Sequence, residues 1–374
     1  MPKKPLEAIE EHFSKVTDPR KDRTKDHKLL DIIAIAICGV ICGAEGWVDI
    51  ENFGKSKEGW LRTFLELPNG IPSHDTFGRV FSMIDAQQFQ LAFWEWVCAV
   101  NELIQGQVIN IDGKCLRGSD DETLGKRAIY MVSAWAADNE IVLGQRKVDE
   151  KSNEITAIPE LLDALYIKGF LVSIDAMGCQ KAIARQIVGK QADYLLTVKG
   201  NQPGVLQAIQ DAFADQQDAV MHIADLDTGH GRIVAQRCSV LPATGIVPEA
   251  DWPGCAVIGR IDSLRQVKGK TSELEQRYYI SSRNLAPAEL APAVRAHWAI
   301  ENQLHWVMDV TMREDASTIR KDHAPENLSL LKKIVLNILR TDTSGRKKLS
   351  LRIRRKRAAW DDDLRAQLLG LNPL

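Results

Sequence analysis

The sequence predicts an α/β core that carries a β-rich insertion and is preceded by an all-helical domain. Three observations carry this prediction. Apolar residues recur at helical spacing up to about residue 105. The pattern then changes to short apolar runs in the order β-β-β-α-β-α-β-α, and strand-like runs between about 220 and 285 separate this unit from a last set of helices. The expected boundaries are 1–105 for the helical domain, 106–345 for the α/β domain with its insertion at about 220–285, and 346–374 for a basic helical tail.

Each element has its own signal. Leu29-Leu30-x-Ile32-Ile33-x-Ile35, Trp60-Leu61-x-x-Phe64-Leu65 and the aromatic-rich Phe89 to Leu103 read as helices. Between the last two, Pro68 to Pro72 forms a turn and Ser73 is a good N-cap. A helix beginning there, with Thr76 and Arg79 early in it, reads either as a DNA-reading element or as plain helical packing. Val108 to Asp112 is an apolar strand ending in an acid. Ala128 to Ala136 and Glu140 to Val148 form a hairpin around Asp138-Asn139. Pro159 to Ile167 is a helix, Phe170 to Asp175 a second apolar strand ending in an acid, Cys179 to Val188 a helix, Asp193 to Val198 a strand and Pro203 to Phe213 a helix. The insertion contributes Arg232 to Val240, Cys255 to Ile261 and Glu275 to Ser281. Helices return over Pro287 to Met312, Glu326 to Leu339 and the tail.

Composition excludes several classes. The 374 residues are 45% hydrophobic and 26% charged, ordinary values for a globular chain rather than a fibrous or disordered one. Seven scattered cysteines, odd in number and without a C-x-x-C pair, point to a reducing compartment. The charged opening residues are unlike a signal peptide, and the most apolar stretch, Leu29 to Gly43, is interrupted by Asp31 and falls short of the ~20 residues of a membrane span. A cytoplasmic location without membrane contact is expected. Net charge is -2, but nine basic and three acidic residues from Arg346 onward give the tail +6 and leave the rest at -8.

The candidate chemistry centres on acids. Ligands in α/β sheets gather beyond the carboxyl ends of strands, where Asp112 and Asp175 are expected. The strand order allows those two strands to be neighbours, which would bring two like charges together and call for a hard cation, magnesium or manganese. The helix near residue 300 offers His297, Glu301, His305 and Asp309 at four-residue spacing. That stripe reads as a zinc site, though it lacks H-E-x-x-H, as a solvated polar face, or as the source of a third carboxylate, Glu301. Three carboxylates holding two metal ions suit phosphodiester chemistry. Lys114, Arg117, Lys181, Lys199 and Arg295 flank these positions, as a polyanionic substrate requires. The tail run Arg346 to Arg357, eight basic residues in twelve and Arg354 and Arg355 among them, suits sequence-independent contact with phosphate backbone.

Several blocks carry a family likeness. Ile109-Asn110-Ile111-Asp112-Gly113-Lys114-x-Leu116-Arg117, Asp149-Glu150-Lys151-Ser152-Asn153-Glu154-Ile155, Asp175-Ala176-Met177-Gly178-Cys179-Gln180-Lys181, Val198-Lys199-Gly200-Asn201-Gln202 and the stretch from His297-Trp298 to Asp309-Val310 closely resemble the H-repeat-associated branch of bacterial insertion-sequence DDE transposases. Gly43-Ala44-Glu45-Gly46-Trp47 and Gly70-Ile71-Pro72-x-His74-Asp75-Thr76 are similar to that branch's helical domain. The resemblance implies an RNase H-like core, a triad of Asp112, Asp175 and Glu301 binding two Mg²⁺ or Mn²⁺ ions, and a transposase that cuts and joins DNA. Its expected partners are double-stranded DNA, as terminal inverted repeats and target, and a second copy of itself. The triad spacings of 63 and 126 residues fit, the longer one holding the insertion. Related branches place Tyr-x-x-Arg before the Glu and Lys after it, where this chain has Val294, His297 and Met308, so His297 and Arg295 are the expected phosphate contacts. The alternatives are a catalytically silent, domesticated DNA-binding protein and a stand-alone nuclease of the same fold.

Overall fold

The computed structural model describes residues 2–104, 106–120, 127–148, 154–215, 220–227, 232–267, 270–342 and 349–372. The block Asp149 to Asn153 and the start of the basic run, Arg346 to Lys348, lie outside the described residues.

The first hundred residues are helical, as expected: α1 (Pro5–Phe13), α2 (Leu29–Ile41), α3 (Trp47–Ser56), α4 (Glu58–Leu61), α5 (His74–Met83) and α6 (Ala86–Val100). α2 is apolar on nearly every side and buried from Asp31 to Ile41, so it forms the axis around which the others pack. Ser73 Oγ accepts the Thr76 N–H at 3.3 Å and Asp85 accepts the Gln88 N–H at 2.8 Å, which starts α5 and α6. The helix expected over Trp60 to Leu65 is a single turn, α4, while α1 and α3 are short amphipathic helices that the sequence reading passed over.

The sheet contains β1 (Val108–Leu116), β2 (Ile129–Ala136), β3 (Ile141–Lys147), β4 (Leu171–Ile174), β5 (Asp193–Val198), β6 (Val220–Asp227), β7 (Arg232–Pro242), β8 (Val257–Val267), β9 (Lys270–Thr271) and β10 (Glu275–Ser281). Their order is β3-β2-β1-β4-β5-β10-β8-β7-β6, with β9 on β8. β1, β4 and β5 are parallel, and β2 and β3 are the antiparallel hairpin at one side. The strands expected between about 220 and 285 do not form a layer apart. β10 pairs antiparallel with β5, from Tyr278 opposite Val198 to Ser281 opposite Leu195, so they extend the same sheet. That pairing gives the β5 edge a partner where its backbone would otherwise be exposed.

Helices follow as α7 (Glu154–Ala164), α8 (Lys181–Gly189), α9 (Pro203–Asp215), α10 (Pro287–Ala299), a π-helical segment Ile300–His305, α11 (Trp306–Val310), α12 (Ala324–Thr341), α13 (Leu351–Trp360) and α14 (Asp362–Leu369). α7 begins at Glu154, five residues before the expected start at Pro159, which stands inside the helix. α12 is buried over most of its length and joins sheet to bundle. Asn337 accepts the Val142 N–H at 2.9 Å and donates to the Val142 carbonyl at 2.8 Å, and Asn327 donates to the Phe81 carbonyl at 2.8 Å. One large buried cluster therefore runs from Ala8 to Leu369, and a second gathers Leu171, Leu195, Ile261 and Tyr279 of the sheet with Leu290 and Val294 of α10.

The tail helices close onto that cluster, which corrects the expectation for two of their arginines. Arg355 donates to the Val40 carbonyl at 2.9 Å and to the Thr311 carbonyl, capping the end of α2. Arg354 pairs with Asp342 at 2.9 Å. Both are buried, so neither is available to a DNA backbone. The cationic face that α13 exposes consists instead of Arg352 and Lys356, beside Ile353 and Trp360. Among the described residues no helix is long and apolar enough to cross a membrane.

Candidate active site

The parallel register of β1 and β4 ends with Ile111 opposite Ile174. The next residue of each strand is the aspartate, so Asp112 and Asp175 stand side by side where two strands lie about 5 Å apart. Asp175 is the first residue past β4, as expected. Asp112 is not the last of β1: the ladder to β2 continues down to Leu116 opposite Ile129, which holds β1 extended five residues beyond its last pair with β4. Asp175 accepts the Met177 N–H at 3.0 Å and the Gly178 N–H at 3.3 Å, so the turn after β4 fixes its side chain.

The helix carrying Glu301 crosses this end of the sheet. Alternate residues of β1 face it: Asn110 donates to the Ala296 carbonyl of α10 at 2.7 Å, Asp112 lies 3.5 Å from His305 Nδ1, and Lys114 binds Asp309. Glu301 lies in the π-helical segment, a wider turn of the kind that recurs at functional sites. Of the three readings of the four-residue stripe, the solvated face is excluded for most of it. The Nδ1 of His297 and the Nε2 of His305 are buried, and Asp309 is in an ion pair, whereas Glu301 is exposed.

Electrostatics identify which acids share the site. Burial pushes Asp112 up to about 7, against the pull of the Gly113 N–H and with the help of the charges on Asp175, Glu154 and Glu301. Glu154, the first residue of α7, is raised by burial and by Asp175. His305 is pushed down to about 3 by burial and by the cations Lys333 and Lys114, so it faces Asp112 as a neutral ring. The hard, mutually repelling oxygen donors fit a divalent cation. They are gathered rather than converged: among the described residues no three acid, imidazole or thiol side chains stand close enough together to hold an ion.

The flanking cations divide into two groups. Lys114 is an internal counter-ion rather than a surface contact: its side chain is 12% exposed and pairs with Asp309, with Glu314 at 2.8 Å and with Asp315 at 3.8 Å. Glu314 is buried, yet Lys114 and Lys333 hold it down at about 2 against that burial. Lys333 donates to Ser133 at 2.9 Å, directly across the ladder from Asp112, and Ser329 donates to Glu314 at 2.7 Å. Lys181 is paired with Asp251 at 2.8 Å. Arg117, Lys199 and Arg295 are exposed. Arg295 lines a cleft of about 360 Å³ between α10 and the strands β7, β8 and β10, where Arg277 stacks at 4.3 Å over the half-exposed ring of Trp298. The outer face of α5 carries His74, Asp75 and Arg79, while Phe77, Val80 and Phe81 pack inward.

Glu154 and Arg277 were not picked out as site residues by the sequence, and His305 was read only within the four-residue stripe. For Glu154 a signal existed, an acid opening the helix after the hairpin, but nothing local said that this helix start reaches Asp112.

Residues 104–338 match the family of the transposase DDE domain, and residues 10–97 match the DDE_Tnp_1-associated region. The chain is 43% identical over 345 residues to "Putative transposase YncI" of Escherichia coli O157:H7, covering 90% of this chain and 88% of that one. It is 39% identical over 373 residues to "H repeat-associated putative transposase YhhI" of Escherichia coli strain K12, covering 98% of each. Among solved structures, a piggyBac transposase synaptic complex with hairpin DNA aligns with a TM-score of 0.43 at 10% identity, over 98% of this chain and 81% of that one.

Proposed function

This chain belongs to the DDE transposase family of bacterial insertion sequences, and from that membership we propose that it cuts and joins DNA with divalent metal held by Asp112, Asp175 and Glu301. One observation carries the reading: two aspartates on adjacent parallel strands, one residue past their last shared rung, lie beneath the helix that bears the glutamate, and Lys114 on the same strand is held by acids of its own, Asp309 and Glu314. The strand order β3-β2-β1-β4-β5 supports an RNase H-like core for this site.

Two Mg²⁺ or Mn²⁺ ions would supply an activated oxygen nucleophile and offset charge on the leaving oxygen of the phosphodiester. The chain's own part is to hold the three carboxylates at one sheet end, with Asn110 fixing α10 over β1 and neutral His305 closing the side next to Asp112. Arg117, Lys199 and Arg295 are the surface cations proposed to bind the phosphate backbone, and the cleft beside Trp298 extends that surface. Terminal inverted repeats and target DNA are the proposed substrates, handled by a homodimer on DNA.

The test is incubation of the protein with a labelled element end, a target plasmid and Mg²⁺. Joined product is the expected outcome. Cut product without joining would instead make the chain a stand-alone nuclease, and a shifted band without either would make it a silent DNA-binding protein. Loss of both cutting and joining in D112N, D175N and E301Q, with DNA retention unchanged, is required for the assigned triad.

A further inference from the structure

We infer that Glu154 is a fourth metal-binding carboxylate of this site, reaching it from the opposite face of the sheet through the space left by Gly113. This rests on the metal-dependent reading of Asp112, Asp175 and Glu301.

The geometry follows from the strand's alternation. Asn110, Asp112 and Lys114 point toward α10 and α11, so Gly113 points to the other face. There it meets the start of α7: a Cβ at Gly113 would overlap the Glu154 carboxylate. The missing side chain is what lets Glu154 lie against the β1 backbone next to Asp112. Beside the same end of the sheet, on the α10 face, the His297 ring lies close to Asp175 and to the Ser173 backbone.

A simpler role for Glu154 is to favour the start of α7, since an acid in the first helical turn interacts well with the helix dipole. That role needs no proximity to other acids. Glu154 instead lies against the β1 backbone at Gly113, one residue from Asp112 and beside the strand that leads to Asp175, a gathering of acids that repels unless a cation is present.

Binding of Mn²⁺ to the full chain, followed by the electron paramagnetic resonance signal of free Mn²⁺, separates these roles without any turnover. Glu154→Gln keeps shape and removes charge. It is expected to weaken Mn²⁺ binding at least tenfold, while metal-free melting temperature holds or rises and metal-free DNA retention stays within twofold. A titration matching the unsubstituted chain in affinity and number of ions would leave Glu154 as a helix-start acid and overturn the inference. Should E154Q fail to fold, Glu154→Asp keeps the charge at the helix start and withdraws the carboxylate. Weaker Mn²⁺ binding by E154D then supports the inference, and unchanged binding overturns it. Absence of Mn²⁺ binding by the unsubstituted chain would overturn both this inference and the metal-dependent reading, whereas binding lost in D112N but kept in E154Q would overturn this inference alone.

Discussion

Asp112 and Asp175 occupy the first position beyond the last parallel rung, Ile111 opposite Ile174, so the sheet itself sets two like charges side by side. Burial, with the repulsion of Asp175, Glu154 and Glu301 added to it, holds Asp112 at about 7 in the folded chain, well above its ordinary value.

A raised carboxylate stabilises the fold only while protonated. The contribution is fully present below about pH 4, and is lost as pH rises through about 7, because over that window the folded state binds the proton more tightly than the unfolded one. D112N removes the titration. In metal-free buffer it should be more stable than the unsubstituted chain by roughly 1–3 kcal/mol at pH 8 and close to equal at pH 4. Urea unfolding at the two pH values checks this, and equal stability at pH 8 would refute it.

The Lys114–Glu314 pair at 2.8 Å should behave as structure, not as DNA contact. E314Q leaves Lys114 and Lys333 without their shared counter-charge, and breaking a buried pair in this way typically costs about 3–5 kcal/mol. Thermal and denaturant midpoints should fall steeply. R117A and K199A, both exposed, should leave those midpoints unchanged while each lowers the salt dependence of DNA binding by about one phosphate contact.

Arg355 and Arg352 are three residues apart on α13, yet their substitutions should have opposite consequences. R355A strips the Val40 and Thr311 carbonyls of their donor and should lower stability by about 2–4 kcal/mol. R352A, on the exposed face, should change stability by less than about 0.5 kcal/mol and weaken non-specific DNA binding. Denaturation curves paired with filter binding at two salt concentrations read both effects.

Asn110 ties β1 to α10 through the Ala296 carbonyl at 2.7 Å. N110A leaves that carbonyl without its donor, costing about 1–3 kcal/mol. It also loosens the helix that positions Glu301, so the rate of strand cleavage should fall at least tenfold with DNA affinity retained. A cleavage rate within twofold of the unsubstituted chain would show that Glu301 is positioned by other contacts.

Much of this was legible in the residues. Strands β2, β3, β4, β5 and β10 lie within a residue or two of their apolar runs, because a strand buried on both faces is written locally as consecutive apolar side chains. The two acids that follow the apolar runs of β1 and β4 were legible for the same reason, and the parallel pairing sets them side by side, although β1 itself continues past Asp112 to Leu116. What the chain could not disclose locally were partnerships across long separations. Lys114 reads as a surface cation until Glu314, 200 residues away, closes on it. Arg355 reads as part of a DNA-binding run until the end of α2 accepts its hydrogen bonds from 315 residues away. The strands between about 220 and 285 read as an insertion, and nothing local said that they extend the same sheet until β10 pairs with β5. Period and charge are properties of neighbours in the chain and determined the elements and the acids; burial is a property of neighbours in space. Only the tertiary structure decided which cations remain free for DNA and that a fourth acid, Glu154, lies against Gly113.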